Sequence, residues 1–191
     1  MGIVSDYRPI IYQGFSSLYD YPVRINFGRF EIGEGGDLKL GPVLYYWVRD
    51  KIVGYALYHY RDWSDCLGGK IIPGGEHRHD FEGGLVRKTD TGFESVTTFH
   101  HSLKYNQFKH SPIWWVEAHG HGINCQGLHL DPEIRFSCET DWQYINLDKM
   151  SHSEWVTTQA AFGDVNMPDR WEKDGYNFWD NPDKILETMR N

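Results

Sequence analysis

The chain reads as short runs rich in Val, Ile, Tyr and Trp, separated by Gly, Asp and Pro. That is the pattern of strands joined by tight turns. Val43–Arg49 and Ile52–Tyr60 form the clearest pair, with Arg49-Asp50-Lys51 as the turn between them. Gly84–Lys88, Ser95–His100, Pro112–Ala118, Ile134–Ser137 and Trp142–Leu147 complete a set of seven predicted strands. Gly33-Glu34-Gly35-Gly36 and the stretch from Gly68-Gly69 to Pro73-Gly74-Gly75 are expected loops. Trp114-Trp115 lies within a predicted strand, where neighbours face opposite ways, so only one of the two indoles lines any given side.

The pattern changes near residue 150. Ser151-His152-Ser153-Glu154 is a capping box, which predicts a helix from about Ser153 to Phe162 ended by Gly163. A second helix is expected over Asp183–Arg190, with Pro182 near its first turn. Strands first and helices last suggest a mainly β fold: an antiparallel β-sandwich with short C-terminal helices. The expected organisation is a single domain over 1–191, with a β-sandwich body at 1–150 and a helical appendage at 151–191.

Composition narrows the function. Acids number 27 against 19 Lys plus Arg, a formal charge of −8. Such a chain lacks the clustered cations that grip nucleic-acid phosphates. No apolar run approaches the roughly 20 residues of a transmembrane helix. Met1 to Asp6 has neither a basic segment nor an apolar one, so a cytoplasmic protein is expected, or a secreted one whose signal has been removed. Cys125 and Cys138 flank a plausible turn and suit a disulfide in an oxidising compartment; three free thiols with Cys66 are the alternative.

The chemistry concentrates in histidines and acids. Nine of the 10 histidines fall between His59 and His129. The densest stretch is Glu76-His77-Arg78-His79-Asp80-Phe81-Glu82, with Asp62 upstream and Glu117-Ala118-His119-Gly120-His121 downstream. Imidazoles and carboxylates that converge are the usual protein ligands of a divalent cation. In a regular strand Asp80 and Glu82 share a face about 7 Å apart, and His77 joins them only if the chain bends. His79, His119 and His121 are candidate further ligands, or groups that orient a ligand carboxylate. Arg78 and Arg61 offer the metal-free alternative, a salt-bridge network. Asp80 and Glu82 also have a spacing compatible with a glycosidase pair, and they are the candidate catalytic residues if there is catalysis. His-Glu-x-x-His, a phosphate-binding loop and a Gly-x-Ser-x-Gly elbow are all absent. A cupin pattern is only partly met, since two residues separate His79 from Glu82 where three or four are needed.

Three segments resemble the necrosis-inducing (Nep-like) proteins. Tyr55–Asp62 is similar to a family strand reading roughly Tyr-Ser/Ala-Trp-Tyr-Phe-Pro-Lys-Asp. His77–Glu82 resembles the hallmark Gly-His-Arg-His-Asp-Trp-Glu, with Glu76 in place of Gly and Phe81 in place of Trp. Val116–Gly120 resembles the later Ser-Ala-His-Gly segment, and the three follow the family's order. The resemblance implies a β-sandwich with a cavity at one end holding Ca²⁺ or Mg²⁺. It implies that Asp62 and Asp80 ligate the ion directly, while His77 and Glu82 line the cavity largely through water. Toxic members of that family bind sphingolipid headgroups and damage plasma membranes.

The functional expectation is thus a divalent-metal-binding sandwich that recognises a polar headgroup, a sugar or another polar small molecule, with membrane damage as the family's toxic activity. The alternative is a metalloenzyme, a hydrolase or cupin-like oxygenase, with Zn²⁺, Mn²⁺ or Fe²⁺ held by His77, His79, Glu82 and His121.

Overall fold

The computed structural model describes residues 2–14, 42–62, 77–99, 102–117, 122–126, 135–137, 142–149 and 182–190; at 60–62, 77–81, 99, 102, 135–137, 182, 184, 185 and 189 it describes the backbone alone. Ten strands occur among them: β1 Ile10–Gly14, β2 Val43–Arg49, β3 Ile52–Asp62, β4 His77–Thr89, β5 Gly92–Phe99, β6 Ser102–Phe108, β7 Ile113–Val116, β8 Ile123–Asn124, β9 Arg135–Ser137 and β10 Gln143–Asn146. Helix α1 spans Gly2–Tyr7, a 3-10 turn spans Leu147–Lys149, and α2 spans Pro182–Arg190.

The strands form two sheets, a six-stranded one in the order β10-β2-β3-β4-β5-β6 and a four-stranded one in the order β8-β7-β1-β9. Both are mixed, where the sequence suggested antiparallel pairing: β10 runs parallel to β2, and β1 runs parallel to β7. A parallel pair needs a long connection. β1 and β7 are far apart in the chain, so a reading of local turns cannot reveal their pairing.

Alternation along each strand divides the side chains between two faces. Leu44, Val53, Tyr55, Leu57 and Val86 of the larger sheet pack with Ile11, Trp114, Val116 and Ile123 of the smaller one. Helix α1 adds Val4 to this core, and the Tyr55 hydroxyl donates to the Val4 carbonyl at 2.5 Å. Tyr7 of α1 meets Phe93 edge-on at 5.9 Å, beside the Lys88–Phe93 step of the β4–β5 ladder. This helix therefore sits by the end of the sandwich where β3 begins. The residues where β3 finishes and β4 begins lie at the other end.

Polar groups tie the two sheets together inside the core. The Trp114 indole donates to Ser95 Oγ at 3.0 Å, and Thr97 Oγ1 donates to the Ile123 carbonyl at 3.0 Å. Trp114 is fully buried, while Trp115 is half-buried and stacks on Tyr12 at 4.4 Å, which is the division expected of neighbouring strand residues.

The other face of the larger sheet is also covered. Tyr45, Trp47, Ile52, Ala56, Tyr58, Leu85 and Val96 are all buried. Helix α2 packs there through buried Leu186. Its two ends are tied by ion pairs, Asp183 to Arg87 at 3.2 Å and Arg190 to Glu94. The predicted helix at 183–190 is thus present with Pro182 as its first residue, while the one predicted over Ser153–Phe162 lies outside the described residues.

Candidate functional site

The β3–β4 ladder carries the hallmark segment. β4 is far longer than the Gly84–Lys88 read from sequence: it starts at His77 and runs unbroken to Thr89. The run His77–Glu82 was hidden because its charges mask the strand's apolar pattern. β3 likewise continues two residues beyond Tyr60, to Asp62.

The register fixes the neighbours. Asp62 pairs with His77, Arg61 with Arg78, His59 with Asp80, and Leu57 with Glu82. Residues opposed in an antiparallel ladder have Cβ atoms about 4.5–5.5 Å apart. The two strands thus bring Asp62 beside His77, residues well separated in sequence. They also keep Asp80 and Glu82 two steps apart on one strand. The register does not group His77 with Asp80. Those positions differ by three, an odd number, and β4 has no break between them. In an unbroken ladder, Asp62 and His77 hold register positions on one face, while His59, Asp80 and Glu82 hold positions on the other.

The second face is the one turned to the smaller sheet, since Leu57 belongs to the core between the sheets. His59 and Gln13 are both fully buried there. Their side chains meet across the two sheets, with His59 Nε2 3.3 Å from Gln13 Oε1. Gln13 Nε2 donates to the Gly14 carbonyl at 2.9 Å. Gln13 pairs with Val116 on β7, and the next residue along, Glu117, is 3% exposed. Glu82 is half-buried, and its carboxylate accepts a hydrogen bond from the Thr98 hydroxyl. That hydroxyl also receives the Gly83 N–H at 3.1 Å. The β4–β5 ladder is paired from Gly84–Thr97 to Thr89–Gly92, so Thr98 holds Glu82 just past the end of the paired stretch.

One end of the interior is therefore polar: Gln13 of β1 and His59 of β3 meet there, and Glu82 of β4 holds a register position on the same face. Sequence reading singled out Glu82 and Glu117 but gave no role to His59 or Gln13. The signal for His59 is the ladder itself, since setting Asp62 opposite His77 forces His59 opposite Asp80.

β7 ends at Val116, two residues short of the predicted Ala118, and His119 and His121 lie outside the described residues. The side chains of His77, His79, Asp80 and Asp62 are likewise outside them. Among the described residues, no three His, Cys, Asp or Glu side chains gather as a metal site. Cys125 carries a free thiol, and burial pushes its pKa up to about 11, with a hydrogen bond between Cys125 and Thr97 opposing the shift.

Among solved structures, one described as a toxin fold for microbial attack and plant defence matches with a TM-score of 0.53, 14% identity, and coverage of 90% of this chain and 88% of that one. The necrosis and ethylene inducing protein 2 from the causal agent of cocoa's witches' broom disease matches with a TM-score of 0.51 and 15% identity, covering 90% of this chain and 82% of that one. NLPPya in complex with glucosamine matches at 0.50 and 13% identity, covering 90% of this chain and 88% of that one. The chain has the fold of the necrosis-inducing proteins. At these identities the likeness is one of fold, and the relation is distant. No family model matches the sequence, and no curated protein does. None of the described helices is long and apolar enough to cross a membrane.

Proposed function

We propose that this protein is a cation-dependent binding protein of the necrosis-inducing type. A divalent ion, held at the polar end of the β3–β4 ladder by Asp62, His77, Asp80 and Glu82, recognises a sugar or a polar lipid headgroup. The observation that supports this reading is the register, which sets Asp62 beside His77 on one face and keeps Asp80 and Glu82 together on the other, all near the same end of the ladder, so that an ion shared by the two pairs sits at that end. The shared fold supports it, as does the glucosamine complex of one neighbour.

The donor set fits the group. Carboxylates suit Ca²⁺ and Mg²⁺, and the Thr98 hydroxyl on Glu82 is the kind of hydrogen bond that orients a ligating acid. Bound there, the ion supplies positive charge for hydroxyl or anionic oxygens. The chain's own residues do the remaining work. Glu82 is held in place by Thr98, while Leu57 and the core behind it keep water from the inner side.

The test is a titration with glucosamine in the presence of Ca²⁺ or Mg²⁺, and again after chelation. Binding that needs the ion and disappears in Asp80→Ala is the expected result. Binding by Asp80→Ala equal to the wild type overturns the reading. Dye release from sphingolipid vesicles then separates membrane damage from recognition alone.

A further inference from the structure

A chain of four charges that begins and ends on α2 holds this helix to the larger sheet. Asp183 in the first turn meets Arg87 of β4 at 3.2 Å, Arg87 Nε donates to Glu94 of β5 at 2.9 Å, and Glu94 accepts from Arg190 in the last turn. Arg87 and Glu94 are ladder partners, so one step of the β4–β5 hairpin secures both ends of the helix. We propose that α2 is an acid-released strap: when Glu94 takes up a proton, the helix opens from its Arg190 end while the two sheets stay folded.

The helix depends on its docking. Nine residues are too few for a helix to persist alone in water. It packs against β5 and β6, and Leu186 is the side chain it buries among those described.

Burial singles out Glu94 as the member that controls the chain. Its side chain is 4% exposed, against 56% for Asp183 and 46% for Arg190. Water and salt weaken the exposed groups, while the buried acid keeps its interactions. Among the described residues, the groups that face Glu94 are Arg87 from β4, Tyr105 from β6 and Arg190 from α2, and all three donate to it. Gln107 of β6 in turn donates to the Tyr105 hydroxyl at 2.8 Å. These hydrogen bonds outweigh burial and hold the carboxyl below its ordinary 4.5, so the proton enters only in acid and favours the open state.

The two ends respond differently. Protonation removes the charge that Arg190 meets on Glu94, whereas Arg87 still has Asp183. The Asp183–Arg87 pair is therefore the hinge. The face of β5 that carries Glu94 also carries Val96, with Leu85 opposite it, and both are fully buried. Opening turns part of this apolar face toward solvent. The device needs no cation: Arg87 is paired with Ile52, at the end of the β3–β4 ladder opposite to Asp62 and His77.

The experiment is hydrogen exchange of the full chain, read by mass spectrometry from pH 7 to pH 3 and corrected for intrinsic exchange. Below about pH 4.5 the opening constant of α2 should rise by up to about tenfold per pH unit, one proton being taken up per opening, while β2 and β3 keep their protection. Glu94→Gln should lower the protection of α2 already at pH 7. Asp183→Asn and Glu187→Gln should both keep the acid step. Because Glu94→Gln can prevent folding, the wild-type profile decides by itself. Protection of α2 that stays constant down to pH 3, or that is lost only together with β2 and β3, overturns the proposal. So does a folded Glu94→Gln with wild-type protection of α2, or an acid step that vanishes in Asp183→Asn.

Discussion

Arg190, at the end of α2, and Glu94, on β5, are joined by a charge-assisted hydrogen bond that fastens the C-terminal helix to the larger sheet. Glu94 also accepts from the Tyr105 hydroxyl at 2.8 Å and from Arg87 at 2.9 Å. Burial by itself raises the Glu94 pKa, but the hydrogen bonds from Tyr105, Arg87 and Arg190 outweigh it and hold the carboxyl below its ordinary 4.5. An acid with a lowered folded-state pKa contributes stability above its unfolded pKa and loses it as pH falls through the folded one. Helix α2 should therefore loosen in acid, below about pH 4.5. Glu94→Ala should cost about 1–3 kcal/mol at neutral pH, because it leaves the Tyr105 hydroxyl and the Arg87 Nε–H without their acceptor, Arg87 keeping only its more exposed pairing with Asp183. It should also flatten the acid limb of the stability curve. Denaturant unfolding against pH checks both.

Gly54 is a packing requirement. A Cβ there would lie 2.1 Å from Cε2 and Cζ2 of the Trp47 indole, its ladder partner. Trp47 is 1% exposed and has no room to retreat. Gly54→Ala should destabilise the protein by roughly 1–3 kcal/mol through overpacking. Trp47→Leu, which removes the obstructing ring, should make a second loss at Gly54 smaller. Urea unfolding of both single variants and the double variant measures that coupling.

The thiol of Cys125 should be inert at neutral pH. Burial keeps it protonated, with a pKa of about 11 against an ordinary 9.0. Site-resolved mass spectrometry after alkylation at pH 8 should find Cys125 modified far more slowly than in the unfolded chain. The linkage runs opposite to that of Glu94. Between about pH 9 and 11 the folded state holds the proton that the unfolded state releases, so stability declines as pH rises through that window.

The sequence revealed elements where local chemistry decides structure. β2 and the start of β3 follow from their β-branched and aromatic runs, with Asp50 in the left-handed conformation, φ 51°, at the turn between them. α2 follows from Pro182 and the acid in its first turn. β1 escaped notice because it is five residues long and buries a glutamine, Gln13, at a core position. β6 escaped because Lys104, Asn106 and Gln107 dilute its apolar positions. The site was legible as a composition but not as a grouping. His77 and Asp80 are near in sequence and three apart on a strand, whereas His59 and Asp80 are distant in sequence and directly opposed. Only the pairing of β3 with β4 distinguishes the two cases.

Thermal unfolding of chelator-treated protein, titrated separately with Ca²⁺, Mg²⁺, Mn²⁺ and Zn²⁺, tests the central claim most directly. An ion at about one hundred times its dissociation constant adds roughly 2.7 kcal/mol to the folded state. At roughly 2–4 °C per kcal/mol for a chain of this size, that is a rise in Tm of about 5–10 °C. The account predicts such a rise with at least one of the four ions, and its absence in Asp80→Ala. A wild-type Tm that none of the ions moves contradicts the account, and leaves the acids and histidines of the β3–β4 ladder as structure alone.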